Sequence, residues 1–181
     1  RSDQPHSIYL PYHGASGVFR FHAMDINRDM ANLLSLIDEE RPDAIVDFAG
    51  QGMVAESWQN PSQWYQTNVV AKSALHEHLK DCKFLRTYIR VSTPEVYGST
   101  DEAVTEAARF NPSTPYAVSH AAIDMNLLAY HRQYDFPVQL ARFANFYGPT
   151  QQLYRIIPRS IIYARMGKRL QLHGGGTAGR A

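Results

Sequence analysis

The residues best suited to chemistry lie in two short stretches. Val91 to Gly98 reads V-S-T-P-E-V-Y-G, which places a hydroxyl at Thr93 and a carboxylate at Glu95 directly after an apolar run. Pro115 to His120 reads P-Y-A-V-S-H, which sets the Tyr116 phenol and the His120 imidazole at i and i+4, on one face of a helix. A phenol held beside a cation can act as a base. Its ordinary pKa of about 10 must first be lowered by positive charge or by hydrogen-bond donors. Each residue also has a plainer reading: Tyr116 and His120 as an amphipathic helix face, Glu95 as a solvated loop acid, Thr93 as a turn hydroxyl. The order strand, loop, helix around them favours function, because open α/β sheets bind ligands beyond the carboxyl ends of their strands.

The elements that must position these groups can be read from periodicity. Short apolar runs alternate with longer amphipathic stretches, the mark of βαβ units and a parallel sheet. Strands are expected at Val18 to His22, Ala44 to Ala49, Thr87 to Ser92, Val138 to Phe143 and Leu170 to Leu172. A helix capped by Asn27 should run through Asp38, with Met30, Leu33, Leu34 and Ile37 on one face, and break at Pro42. Further helices are expected from Trp64 to Leu79, from Pro115 in the first turn to Tyr134, and from Ile156 to Met166. Gly50 and Gly52 follow the second strand, where backbone must approach a ligand closely. Asn68 reads as a side chain tying backbone together. The glycines at 14 and 17 follow no convincing apolar strand and read as a surface turn, so the glycine-rich phosphate turn that opens a dinucleotide sheet is missing. The fold class is therefore α/β, a Rossmann-type doubly wound parallel sheet lacking its first strand, glycine-rich turn and helix, and an incomplete unit is expected.

Composition narrows the classes. The chain has 181 residues, 44% of them hydrophobic, enough for about one domain with a buried core. The formal charge of +1 comes without a basic stripe, which disfavours nucleic acid. Cys82 is the single cysteine, and no apolar run approaches the roughly 20 residues of a membrane span. A reducing cytoplasm fits, and no export signal is evident. Arg159, Arg165, Lys168 and Arg169 read as the solvated side of a helix, and Gly174, Gly175 and Gly176 as turn material. His76, His78, His131 and His173 lack a convincing ligand set, so no metal is expected.

Several motifs in order carry a family resemblance: Asp25-Ile26, AIVDFAGQG at 44 to 52, TNVV at 67 to 70, STPEVYG at 92 to 98, PYAVSH at 115 to 120, ARFANFYGP at 141 to 149, YRIIP at 154 to 158 and LHGGGTAGR at 172 to 180. Together they resemble the extended short-chain dehydrogenase/reductases, most of all the NAD-dependent nucleotide-sugar 4,6-dehydratases. The resemblance implies NAD as cofactor, with Asp25 and Ile26 bordering the adenine and Ala49 and Gly50 passing close to the cofactor. It implies Tyr116 as the active-site base, with His120 in the neighbouring family lysine's place, touching cofactor and chemistry alike. Thr93 would bond the sugar hydroxyl and Glu95 would take the C5 proton. Asn145, Arg155 and Arg180 would meet a nucleotide-diphosphate sugar, since an amide and guanidinium groups suit phosphate oxygens. The implied reaction oxidises sugar C4, eliminates water across C5 and C6, and returns hydride to C6. Residues 1–150 would form a partial NAD-binding domain and 151–181 the start of a substrate-binding region. Leu127, Leu128 and nearby alanines would pack in a homodimer.

Four departures qualify the resemblance, one of them Gly50, which replaces the second alanine of the family's usual pair. The family lysine four residues after the tyrosine is His120, which at its ordinary pKa is only about a quarter protonated at pH 7. The imidazole is then either kept charged by the local field, used as a neutral donor, or a sign of lost activity. Pro94 stands where the dehydratases carry the acid that protonates the leaving hydroxyl, which leaves Glu95 to make both transfers. Met53 stands where a polar substrate contact is expected. The rival readings are a nucleotide-sugar 4-epimerase, a uronic-acid decarboxylase, or a nucleotide-sugar-binding homologue impaired by the change at 120.

Overall fold

The computed structural model describes residues 19–100, 103–106, 109–148 and 151–171. They fall into two compact units. The larger, within Met24–Ala144, carries the sheet and most of the helices.

Its elements run α1 (Met30–Glu40), β1 (Ala44–Asp47), α2 (Pro61–Tyr65), α3 (Ala71–Leu79), β2 (Thr87–Ser92), α4 (Pro115–Tyr134) and β3 (Val138–Arg142). The strands form one parallel sheet in the order β1-β2-β3. Ile45 pairs with Tyr88 and Asp47 with Arg90, while Leu140 lies beside Arg90 and Arg142 beside Ser92. This is the parallel α/β architecture expected from the alternating pattern, with βαβ crossovers joining successive strands.

Local chemistry explains the element ends. α1 stops where Arg41 turns left-handed, its N–H on the Ile37 carbonyl, just before Pro42. The Thr114 hydroxyl accepts the Ala117 N–H at 3.1 Å, and Pro115, which has no N–H to lose, fills the first turn of α4. α4 ends at Asp135, again left-handed, ahead of Pro137. Between α2 and α3 the helix widens into one π-type turn at Gln66–Val70, so 61–79 is one rod with an inserted residue.

The expected elements differ in a few places. Residues 19–23 form no strand, and Leu170 and Gln171 carry no regular structure; Leu172 lies outside the described residues. Asn27 does not cap α1. That place falls to Asp29, and residues 25–29 form a turn in which the Asp25 carboxylate accepts the Asn27 N–H at 2.9 Å. The glycines at 14, 17 and 174–176 lie outside the described residues.

Ile37, Leu75, Leu79, Leu85, Tyr88, Leu127 and Phe136 make the apolar core, with Met30, Leu33 and Leu34 of α1 packed against it as their spacing predicted. Helices α1, α3 and α4 therefore share one side of the sheet. On the opposite side Val46 is 50% exposed. Core position and surface position separate cleanly along α4: Leu127 is wholly buried, whereas Met125 is 58% exposed. Leu127→Ala is expected to destabilise by about 2–5 kcal/mol in chemical denaturation and Met125→Ala by about 0.5 kcal/mol or less.

The smaller unit contains described residues from 19–23 and 145–171. Its helix α5 (Ile156–Arg165) buries no residue, and Arg165, Lys168 and Arg169 are exposed, as expected of a solvated basic face.

Candidate active site

The site builds up from the carboxyl ends of β1 and β2. After β1 the chain crosses Ala49 and Gly50, both exposed, with the Ala49 N–H held by Asp47 at 3.1 Å. Asn68, buried on the π-type turn, clasps this loop: its Oδ1 accepts the Gln51 N–H at 2.7 Å and its Nδ2 donates to the Gln51 carbonyl at 3.1 Å. The same Nδ2 donates to Ser119 Oγ at 2.9 Å, which ties the loop to the first turns of α4. Asn68 thus has the structural role read from its type. A Cβ at Gly50 would come to 3.3 Å from Asn68 Oδ1, so glycine suits this close approach. Met53 takes φ 69° in the left-handed region and is half exposed.

After β2 the Thr93 hydroxyl caps a 3₁₀ turn at Pro94–Tyr97, accepting the Glu95 N–H at 3.3 Å. Pro94 takes the first position of the turn, so it ends the strand and begins the loop at once. Thr93 is buried and Glu95 half-buried, and the turn packs against α4. Gly98 closes it at φ 78°, where a Cβ would stand 2.4 Å from the Asn111 carbonyl oxygen.

Tyr116 and His120 sit on one face of α4 as their spacing required, ring centroids 4.5 Å apart and tilted by 53°. The Tyr116 N–H donates to Ser57 Oγ at 3.2 Å, and Ser57 in turn donates to the Val54 carbonyl at 2.6 Å. The first turn of α4 is thus pinned to the loop after β1.

Beneath these residues lies a buried ionic group that sequence reading missed. Tyr88, Arg90 and Ser92 alternate inward along β2, toward α3 and α4. Asp47 accepts from Lys72 and, at 2.8 Å, from the Tyr88 hydroxyl, and Arg90 approaches its other side at 3.7 Å. Arg90 donates to the Val91 carbonyl at 2.6 Å and pairs with His120 Nδ1 at 3.1 Å. Farther along, Asp124 accepts from Ser92 at 2.7 Å and from Arg142 at 3.0 Å, while Arg142 reaches the Tyr97 hydroxyl at 2.9 Å. The signal was available in principle: charged Asp47, Arg90 and Arg142 stand on the inward register of otherwise apolar strands, a costly arrangement unless partners meet them.

The protonation states follow from burial and neighbours. Burial would raise the Asp47 carboxyl, but Lys72, Arg90 and its hydrogen bonds outweigh that and hold it below the usual range. Lys72 is drawn down to about 8, mainly by burial against the pull of Asp47, and remains charged at neutral pH. Burial first and Asp47 second push the Tyr88 phenol well up, so it stays a donor. Asp124 is raised by burial despite Ser92 and Arg142. His76 and His120 are both lowered to about 3, by burial first and then, for His120, by the charges of Arg90 and Lys72. His120 is consequently neutral. A guanidinium can only donate, so Nδ1 accepts and the ring proton sits on Nε2. Of the three readings, burial and the Arg90 contact oppose the field-charged imidazole, which leaves the neutral donor and the impaired site.

The other expected contacts divide. Asp25 shapes the turn before α1, and Ile26 packs its side chain against the apolar core. Asn27 donates to Thr67 Oγ1 at 3.1 Å, which ties that turn to the helix carrying Asn68. Asn145 and Arg155 belong to the smaller unit, where Asn145 is exposed and Arg155 precedes α5 with its guanidinium 5.2 Å from the Tyr154 ring. Arg180 lies outside the described residues. His78 does meet Asp38 and Cys82, which sequence reading did not foresee: their ligand atoms lie within 4.8 Å of one another. Each is engaged, His78 with Asp38 at 2.8 Å and Cys82 with the His78 carbonyl at 3.6 Å.

Comparison with known proteins supplies the context for this geometry. A family model described as GDP-mannose 4,6 dehydratase matches residues 4–181. The chain is 39% identical over 164 residues to a trifunctional UDP-glucose 4,6-dehydratase/UDP-4-keto-6-deoxy-D-glucose 3,5-epimerase/UDP-4-keto-L-rhamnose-reductase of Arabidopsis thaliana, covering 88% of this chain and 24% of that protein. It is 35% identical to a dTDP-glucose 4,6-dehydratase of Xanthomonas campestris, over 82% of this chain and 45% of the relative. Among solved structures, a dTDP-glucose 4,6-dehydratase from Streptomyces venezuelae with NAD bound superposes with TM-score 0.78 at 36% identity, covering 90% of this chain and 50% of that one. A UDP-glucuronic acid 4-epimerase from Bacillus cereus, in complex with UDP-glucuronic acid and NAD, gives 0.78 at 29% identity over 88% of this chain and 49% of the other. The chain thus spans half or less of the length of these relatives.

Because both buried imidazoles are neutral when folded, stability should fall with acid. The unfolded chain binds protons on His76 and His120 near their ordinary 6.5 and the folded chain only near 3, so stability is full above about 6.5 and is lost as pH falls. Urea denaturation at about pH 5 should show a loss on the order of 2 kcal/mol per histidine relative to about pH 7.5. His76→Gln should shrink that loss by about half.

Proposed function

The chain belongs to the GDP-mannose 4,6-dehydratase family, and from that premise we propose that it is the cofactor-side part of an NAD-dependent nucleotide-sugar 4,6-dehydratase. The observation that carries the reading is the contact of the tilted Tyr116 and His120 rings at the start of α4, with the turn of Thr93 and Glu95 packed on the same helix. This is the place where an open parallel sheet receives a ligand.

The residues present fit a dinucleotide. Gly50 lies where a larger side chain would crowd Asn68, and Ala49 is small and exposed at the end of β1. Asp25, Ala49 and Gly50, with Tyr116 and His120, are the residues proposed to hold NAD; Ile26 contributes backbone, since its side chain is spent on the core. When bound, NAD supplies the acceptor for hydride from sugar C4 and the donor that returns it to C6.

The chain's own groups perform the proton transfers. Tyr116, as phenolate, takes the proton of the C4 hydroxyl while the Thr93 hydroxyl bonds the same sugar oxygen. The C4 ketone acidifies C5–H, and Glu95 takes that proton. As the C6–O bond breaks and C5=C6 forms, the leaving hydroxide needs a proton; Pro94 has none, so Glu95 hands on the one it took. When hydride returns to C6, C5 regains a proton through Glu95, balanced by the one Tyr116 releases, so both groups return to their starting states. Asn145, Arg155 and Arg180 are proposed to meet the diphosphate of the substrate, whose oxygens suit an amide and guanidinium groups, with 1–150 as the partial cofactor domain and 151–181 as the start of the substrate region. A cytoplasmic setting suits these substrates; among the described residues no helix is long and apolar enough to cross a membrane. A homodimer is proposed through α4, whose Val118, Met125 and Leu128 are exposed at helical spacing, whereas Leu127 belongs to the core rather than to that face.

The test uses the full-length protein with NAD and nucleotide-diphosphate glucose or mannose. A 4-keto-6-deoxy product supports the proposal; carbon dioxide release or inversion at C4 alone rejects it in favour of a decarboxylase or epimerase, and binding without turnover indicates an impaired homologue. Glu95→Gln should cut product formation by about 10²–10⁴-fold while still allowing reduced NAD to accumulate, and Tyr116→Phe should lose both signals to a similar degree. Met125→Glu should shift the sedimentation of the full-length protein from dimer to monomer.

A further inference from the structure

We propose that the positive charge which the family places on a lysine next to Tyr116 has moved in this chain to the buried Asp47–Lys72–Arg90 group, and that Arg90 passes it to Tyr116 by holding His120 as a neutral Nε2–H donor. The inference rests on Tyr116 being the base of the proposed reaction.

The charge count within the group comes first. Asp47 is a single carboxylate shared by two cations, Lys72 on one oxygen and Arg90 near the other. Both cations are fully buried, so water screens neither. One carboxylate cannot neutralise both, which leaves a net single positive charge under α4. The nearby Asp124 does not cancel it, because Arg142 already pairs with that carboxylate. His76 and Tyr88 face the group as neutral partners, joined to each other at 3.0 Å. The charges that act on His120 are therefore Arg90, Lys72 and Asp47, and their balance is positive.

The direction of the hydrogen bonds comes next. Arg90 has only donors, so the 3.1 Å contact with His120 Nδ1 puts the ring proton on Nε2. A donor whose other nitrogen is bound by a permanent cation is polarised, and a chain of such bonds is stronger than its parts. The ring so prepared lies 4.5 Å, centroid to centroid, from that of Tyr116. A lysine at 120 would supply the same charge directly, and Arg90 would then have a second cation against it. The histidine at 120 and the cation pair around Asp47 are complementary.

Arg90 and Lys72 are positioning residues here, and the test reads Tyr116 and His120 directly. Full-length protein saturated with NAD, labelled with ¹⁵N in histidine and ¹³C in tyrosine, would be titrated by NMR. The expected result is a neutral Nε2–H tautomer of His120 throughout about pH 5–8 and a Tyr116 phenol that ionises below about 8, where Lys72 still carries its charge. Lys72→Met leaves Asp47 with Arg90, Tyr88 and the Ala49 N–H but removes the charge excess; it should raise the Tyr116 pKa by about one unit or more. Arg90→Gln should do the same and release the His120 tautomer. His120→Gln, which can still accept from Arg90 and donate onward, should leave Tyr116 within about 0.3 units of the parent. An Nδ1–H or protonated His120, or a Tyr116 pKa unmoved by Lys72→Met, would overturn the inference. Turnover is a separate readout: a protein that shows these shifts yet forms no 4-keto-6-deoxy sugar refutes the dehydratase reading alone, and one that turns over without the shifts refutes only the relocated charge.

Discussion

One buried carboxylate organises the larger unit. Asp47 ends β1 facing inward, and everything that neutralises it comes from elsewhere: Lys72 from α3, Tyr88 and Arg90 from β2. A lone carboxylate in that position would cost several kcal/mol of desolvation, so these partners must be in place for the sheet and the helix to close. In meeting Asp47 they fix the register of β1 against β2 and the rotation of α3 over both. The loop after β1 inherits its start from the same residue, through the Ala49 N–H.

The polar layer and the apolar core divide the labour along β2. Tyr88 spans both: its ring packs among Leu75, Leu79, Leu127 and Phe136, and its hydroxyl reaches Asp47. Arg90 and Ser92, farther toward the carboxyl end, are wholly in the polar layer and engage His120 and Asp124 of α4. Hydrophobic burial supplies the driving force at one end of the strand. At the other end, directional bonds set which face of α4 turns toward the sheet. Tyr116 and His120 owe their orientation to that second set, together with Ser57 and Asn68, which anchor the first turns of the helix to the loop beyond β1.

His120 shows how a residue type misleads when its surroundings are unknown. From pKa alone an imidazole in a lysine's place is a weaker cation, and an active site containing one looks diminished. In the folded chain it is no cation at all, because burial and two neighbouring positive charges oppose protonation. The same charges that keep it neutral are those able to act on the phenol beside it.

The sequence by itself determined the parallel α/β architecture, the limits of β2 and α4, the apolar face of α1, and the pairing of Tyr116 with His120, because these depend on periodicity, on proline and on local caps. It also held the ordered motifs that announce the family. The tertiary structure alone decided that Asn27 is not a cap, that Ile26 faces the core, that residues 19–23 form no strand, and that Asp38, His78 and Cys82 converge. It alone revealed the ionic layer of Asp47, Lys72, Arg90, Asp124 and Arg142. The physical reason is common to these cases: partners such as Asp47 and Lys72, or Arg90 and His120, are separated by 25 and 30 positions in the chain. Local pattern records what a residue does to its own turn or strand, while charge, tautomer and burial depend on which distant side chain folding sets against it.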